Sequence, residues 1–379
     1  MNNFNNKILI LTGEVSGDLH ASALVASLIA LNPKLQFSGI AGNNMINSGV
    51  EALFHIKEMS FLGFVEVIKH LPFIFKVEKA IIEHVRLNKI NFAILVDYPG
   101  FNLRIAKKLK SLGVKIAYYI SPQIWAWHQS RIKKIKSRVD KMLVVFPFEK
   151  QFYETGNVQV EYVGHPLVER IEEFNFKSKK ELFDELQIDK EILLILPGSR
   201  KHEIEEHLSE LIKTAKIISD KNNLQTVVAC SENLDVEYLQ DFFSDNNVKI
   251  VKGNTYNLLK NSTFGIIKSG TSTLEAAIIG LPFVVIYSTN KLTYELGKRL
   301  VKIDYIAMPN IIAGKSVVRE FIQNDVNSKL ISDFIQSLLN DSSAIENLKE
   351  EFEIIKNKLG NSGASKNAAQ IIYKMLNEN

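Results

Sequence analysis

Residues 264–287 read FGIIKSGTSTLEAAIIGLPFVVIY. An apolar run stops at Lys268, five small or hydroxyl residues follow (Ser269, Gly270, Thr271, Ser272, Thr273), and an apolar helical pattern containing Glu275 begins. So small a turn lets an anionic ligand reach the unpaired N–H groups and partial positive charge of a helix start. Two other turns share the design: Gly13-Glu14-Val15-Ser16-Gly17-Asp18 after KILIL, and Pro197-Gly198-Ser199-Arg200 after ILLIL. Arg200 adds a planar guanidinium able to grip a diphosphate with two parallel hydrogen bonds. A carboxylate on a phosphate would be repelled, so Glu275 suits paired ribose hydroxyls. Gly17, Gly198, Ser199, Arg200, Ser269, Gly270, Thr271, Ser272 and Glu275 are therefore candidate contacts for a nucleoside diphosphate. Plainer roles compete at each position. Ser272 with Glu275 also reads as a capping box, Ser16 as an N-cap, Gly198 as a turn glycine and Arg200 as a partner of Glu203 or Glu205. The recurrence of the turn after strand-like runs favours the ligand.

Asp97 ends the apolar run FAILV, and Pro99-Gly100 then turns the chain into a helical pattern. A carboxylate there could take a proton from a hydroxyl attacking an activated sugar; a turn cap is the alternative. Glu14, His20 and His165 are lower-ranked bases. There is no Walker loop, GxGxxG, GxSxG or HExxH pattern, which disfavours triphosphate, dinucleotide, serine-hydrolase and zinc chemistry. No metal and no cofactor are expected.

Two stretches point to a lipid surface. MSFLGFVEVIKHLPFIFKVEKAII, residues 59–82, carries Phe61, Phe64, Leu71 and Phe75. Its charges exclude a spanning helix and Pro72 is expected to split it, which fits an interfacial segment; a core helix is the competing reading. Downstream, Trp125 and Trp127 precede Arg131, Lys133, Lys134, Lys136, Arg138 and Lys141. Cations beside tryptophans suit an anionic membrane surface, and a solvated helix face is the plainer alternative. A net charge of only +4 gives nucleic acid no support.

The elements that must position these residues follow from the alternation of patterns. Strand candidates are 7–11, 36–40, 92–96, 114–120, 141–146, 160–163, 191–196, 225–230, 248–251, 264–267 and 283–287. Helical patterns include 18–30, 73–87, 102–112, 202–219, 272–279, 328–339, 343–359 and 364–377. Strand-helix alternation over 379 residues, with 46% apolar and 23% charged residues, implies an α/β chain. The expected fold is two Rossmann-like, doubly wound parallel-sheet domains facing a cleft. Residues 1–165 would hold the lipid-facing stretches, 166–345 the nucleoside diphosphate, and 346–379 would pack back on the first domain or on a partner subunit. One cysteine, Cys230, permits no internal disulfide and fits a reducing compartment. With no signal-peptide layout and no run of about 18 apolar residues, the expectation is a cytoplasmic protein.

LTGEVSGDLHASALV, VDYPGFNLRIAKKLK, YISPQIWAWHQSRIKKI, YVGHPLVE, LPGSRKHEI, SGTSTLEAAIIGLPFVVIY and LVKIDYIAMPNIIAG together resemble the lipid-A-disaccharide synthase family, in order, from about residue 8 to 320. Val15 is a small departure from the family's GEASGD-like turn. The resemblance implies a glycosyltransferase-B architecture with inverting, metal-independent chemistry. UDP-2,3-diacylglucosamine would donate to the 6-hydroxyl of 2,3-diacylglucosamine 1-phosphate, giving a β-1,6 disaccharide 1-phosphate and UDP. It places Asp97 at the base position and Arg200, Glu275 and Asn310 at the UDP end. It also implies peripheral attachment to the inner face of the cytoplasmic membrane through 61–75, and a homodimer. A UDP-sugar epimerase of the same architecture and a non-catalytic nucleotide- or lipid-binding protein are the rivals.

Overall fold

The computed structural model describes residues 6–59, 70–127, 129–231, 234–243, 248–290, 294–295, 298–299 and 303–378. Strands β1 (Lys7–Leu11), β2 (Gln36–Ala41), β3 (Val50–His55), β4 (Phe92–Val96), β5 (Lys115–Tyr119), β6 (Lys141–Val144) and β7 (Val160–Tyr162) form one sheet in the order β3-β2-β1-β4-β5-β6-β7. Strands β8 (Ile192–Leu196), β9 (Gln225–Cys230), β10 (Val248–Lys252), β11 (Phe264–Lys268), β12 (Phe283–Tyr287) and β13 (Glu320–Ile322) form a second, in the order β10-β9-β8-β11-β12-β13. Every pairing is parallel. Central strands such as FAILV and ILLIL are buried along their whole length, as a sheet covered by helices on both faces requires. Strands β3 and β13 escape the sequence pattern for a physical reason. Both lie at sheet edges; β3 is mostly exposed or half-buried, and β13 is only 3 residues long.

The chain divides into two compact units: the residues up to Glu169 together with those from Asn361 onward, and Arg170–Gly360. These borders differ from the expected 165/166 and 345/346. The helix Ser342–Lys358 belongs to the second unit, where Phe352 is buried and stacks on Phe283 with centroids 5.5 Å apart. The helix Ala364–Asn377 returns to the first. Its small face of Ala364, Ala368 and Ala369 is buried, and it packs on the helix Val15–Leu31. The buried Glu169 accepts hydrogen bonds from the Ser365 backbone and hydroxyl at 3.0 and 2.6 Å. This last helix thus spends its apolar face on its own chain.

Candidate active site

Both sheets reverse their winding direction once, between β1 and β4 in the first unit and between β8 and β11 in the second. Doubly wound sheets bind ligands beyond the strand ends at that point. Each candidate turn follows one of these four strands.

In the first unit, the turns after β1 and β4 touch. A Cβ on Gly13 would lie 2.3 Å from the Tyr98 ring, so only glycine leaves room for it. Asp97 and Tyr98 both hold left-handed backbone, with φ of 46° and 47°. Such conformations cost non-glycine residues about 1–3 kcal/mol each and persist only where neighbours enforce them. Asn102, fully buried, supplies the enforcement. Its amide donates to the carbonyl oxygens of Asp97 and Val96 at 2.8 and 3.2 Å, and the Tyr118 hydroxyl also donates to Asp97. Tyr98 is tied at its far end by a 3.0 Å bond from its hydroxyl to the Met59 carbonyl. The result is an elbow that presents the Asp97 side chain. Burial, then the neighbouring Glu14 charge, push its carboxyl up to about 6, making it a stronger base than an ordinary aspartate.

In the rest of the first turn, Glu14, Val15 and Ser16 are exposed. Gly17 is close-packed, since a Cβ would meet the Thr12 hydroxyl at 2.2 Å. The helix Val15–Leu31 starts after Glu14, not at Ser16, and has no side-chain cap. Asp18 is buried and accepts the backbone N–H groups of Gly42, Asn44 and Met45, so it caps the next helix rather than facing a ligand. His165 is buried against Phe146 and accepts the Leu167 N–H. Burial, then His20, push it down to about 3, and it stays neutral.

Trp125 does not reach a surface. It is 9% exposed, its indole N–H donates to Glu149 at 3.1 Å, and its ring packs edge-on against Phe148. Buried Glu149 also accepts the Ser121 hydroxyl at 2.6 Å and the Val145 and Phe146 N–H groups, anchoring the SPQIWAW loop. Its carboxyl is pushed up to about 7 by burial, against these four donors. Trp127 is 42% exposed, with the Arg131 guanidinium 5.2 Å above its ring. Phe61 and Phe64 lie outside the described residues. Pro72 lies in the first turn of the helix Leu71–Leu87, where a missing N–H is harmless, and residues 60–69 before it lie outside the described residues. Leu71 there is half-buried and Phe75 is 55% exposed, with Arg104 4.9 Å above its ring. No described helix is long and apolar enough to cross a membrane.

In the second unit, a cavity of about 530 Å³ opens at the ends of β8, β9 and β11. Gly198, Ser199, Ser269, Gly270, Thr271, Ser272 and Glu275 line it. The helix Thr271–Ile279 begins after Gly270 with no side-chain cap, and a Cβ on Gly270 would meet nothing within 4 Å. The capping box is therefore not formed, and the space above the helix start is open. Glu275 instead accepts the Tyr256 hydroxyl at 2.9 Å. Burial raises its carboxyl above the ordinary value, opposed by that bond and by Arg170. Arg170 lies 5.0 Å above the Tyr256 ring, Phe174 packs edge-on against that ring, and all three line the cavity. Sequence reasoning missed this group, because nothing in the spacing links 170, 256 and 275.

Two predicted contacts sit elsewhere. Arg200 does not line the cavity; its exposed side chain pairs with Glu203 at 3.1 Å. Asn310 is fully buried in the helix Met308–Ala313, donating to Val318 and Glu320 and accepting the Val317 and Val318 N–H groups. Glu320 in turn accepts the Ile306 and Ala307 N–H groups, and the Ser269 hydroxyl donates to the Ile306 carbonyl at 3.0 Å. Among the described residues, this chain of bonds links Asn310 to the cavity.

The family model for lipid-A-disaccharide synthetase matches residues 8–374. A lipid-A-disaccharide synthase of Geobacter metallireducens is 37% identical over 375 residues, covering 98% of this chain and 98% of the relative. One from Nitrosococcus oceani is 38% identical over 382 residues, covering 99% and 98%. Among solved structures, the UDP-GlcNAc 2-epimerase from Neisseria meningitidis bound to UDP-GlcNAc aligns with a TM-score of 0.63 at 14% identity, over 98% of this chain and 100% of that one. The calicheamicin glycosyltransferase CalG4 gives 0.63 and 14%, over 98% of each chain. These two share the fold. Two parallel sheets of one strand order, each with small-residue turns at its switch point, are the fold that this glycosyltransferase and this epimerase share. The chain belongs to the lipid-A-disaccharide synthase family.

Proposed function

We propose that the cavity of the second unit binds the UDP-sugar donor and that Asp97 deprotonates the acceptor, in formation of the lipid A disaccharide. The donor is UDP-2,3-diacylglucosamine and the acceptor 2,3-diacylglucosamine 1-phosphate. The acceptor 6-hydroxyl loses its proton to Asp97 as its oxygen bonds to the anomeric carbon. The bond from that carbon to the diphosphate breaks, and its electron pair leaves with UDP. Attack opposite the departing group inverts the centre to β. The observation that carries this reading is the cavity itself, which joins an open, uncapped helix start to a half-buried carboxylate one turn further on. The first suits a diphosphate and the second ribose hydroxyls. Arg200, next in sequence to the lining residue Ser199, exchanges Glu203 for a phosphate in this reading. On the first unit, the elbow gives Asp97 a basicity near that of a good general base at neutral pH.

A peripheral lipid contact is part of the same proposal. Exposed Phe75 and Trp127, with exposed Lys133, Lys134 and Lys136, lie on elements joined through the helix Pro99–Ser111. Arg104 of that helix sits over Phe75, and its Leu103 carbonyl accepts Arg138 at 2.7 Å. Apolar rings flanked by cations fit an anionic headgroup layer.

Incubating the protein with the acylated donor and acceptor, and weighing the products by mass spectrometry, tests the reaction. Disaccharide 1-phosphate with stoichiometric UDP is expected. An epimerised UDP-sugar with no disaccharide, or bound UDP with no product, would establish one of the rivals instead.

A further inference from the structure

Lys268 is the last residue of β11, and its side chain is only 15% exposed. It lines the cavity beside Gly198 and Ser269, and its stem passes 3.6 Å from where a Gly198 Cβ would stand. An ammonium is rarely so enclosed without a partner. Here the partner is Glu203, itself 17% exposed, with Nζ to Oε2 at 2.9 Å. The same carboxylate takes the Arg200 guanidinium at 3.1 Å. One negative charge thus serves two cations beside an uncapped helix start. Burial alone would raise the Glu203 carboxyl, but Lys268 and Arg200 outweigh it and hold the carboxyl below its ordinary range.

We propose that Lys268 binds the diphosphate of the nucleotide, and that Glu203 is a placeholder anion which surrenders Lys268 and Arg200 when the nucleotide enters. The proposal rests on the assignment of this cavity to UDP. A diphosphate offers more negative charge and more acceptor oxygens than one carboxylate, so both cations gain by the exchange. The gain grows as the anomeric bond breaks and charge collects on the departing phosphate. The plainer role, a prop for the turn at 197–200, is already filled. His207 is buried and its Nε2 donates to the Pro197 carbonyl at 2.8 Å.

Calorimetry with UDP and with uridine separates these roles. Lys268→Met weakens UDP by about tenfold or more and leaves uridine within about twofold, with a shallower salt dependence. Equal weakening of both ligands, or unchanged UDP affinity, overturns the phosphate role. Glu203→Gln, which frees both cations, tightens UDP several-fold; no gain removes the placeholder. If Lys268→Met does not fold, the double variant with Glu203→Gln strands no carboxylate and is read against Glu203→Gln alone by the same UDP-to-uridine comparison. A wild-type protein that binds no UDP brings down the cavity assignment, and this proposal with it. Wild-type binding with an indifferent Lys268→Met brings down this proposal alone.

Discussion

The two units present their candidate groups at equivalent places by opposite means. In each, a switch point lies between the first strand of the series and the strand that follows the reversal. The first unit uses backbone strain there. Two consecutive non-glycine residues are forced left-handed by a buried amide and a tyrosine hydroxyl, and the turn opposite must be glycine to admit Tyr98. The second uses open space and charge balance. Gly270 has extended backbone and empty surroundings, and its neighbours Lys268 and Glu203 are paired ions. The difference suits the tasks proposed for each unit. A base must be aimed and made basic, which strain and burial achieve; a polyanion must be admitted and held, which needs room and cations.

The largest expected effect is at Asp97. Asp97→Asn lowers turnover by about 10²-fold or more and leaves UDP affinity in calorimetry unchanged. Turnover near that of the wild type would remove the base from the first unit and erase the contrast. A base is active only when ionised, so wild-type activity is lost as pH falls through about 6, well above the ordinary aspartate range. A pH profile with no inflection near 6 would contradict that assignment. Glu275→Ala weakens UDP by about tenfold or more, as loss of a charge-assisted acceptor does, and undiminished affinity would relocate the ribose.

Asn102→Leu releases the elbow. Stability falls by about 1–3 kcal/mol in denaturant titration, the cost of stranding buried carbonyls. Turnover falls by about tenfold while UDP binding holds, whereas a merely structural asparagine would leave the pH profile of kcat where it was. The glycines sharpen the comparison further. Gly13→Ala displaces the Tyr98 ring and lowers activity, while Gly270→Ala finds empty space and changes stability by less than about 0.5 kcal/mol. Equal melting temperatures for both variants would refute the strain argument. The smallest effect belongs to Trp127→Ser with Phe75→Ser, measured as a few-fold loss of sedimentation with anionic vesicles; wild-type sedimentation would leave the lipid face without support.

Much of this was legible in the sequence. Buried central strands announce themselves as unbroken β-branched and leucine runs, and small-residue turns after them mark where a ligand can reach the backbone. Thus β1, β4, β8 and β11, with the turns that follow them, emerge from residue types alone. Strands β3 and β13 do not, because only Val50 of the first and Phe321 of the second are fully buried, so neither carries a burial period. Trp125 and Trp127 look alike in sequence. Only Glu149, 24 residues after Trp125, explains why one is buried and the other exposed.

The sequence by itself determined where chemistry can occur, because strand ends and glycine-rich turns are local properties of the chain. Tertiary structure alone decided which side chains meet there. Asn102 beneath Asp97, Tyr256 and Arg170 around Glu275, and Glu203 against Lys268 are encounters across 5 to more than 100 residues. Charge, burial and strain act through space, so the basicity of Asp97 and the pairing of Lys268 exist only once the sheets have brought those residues together.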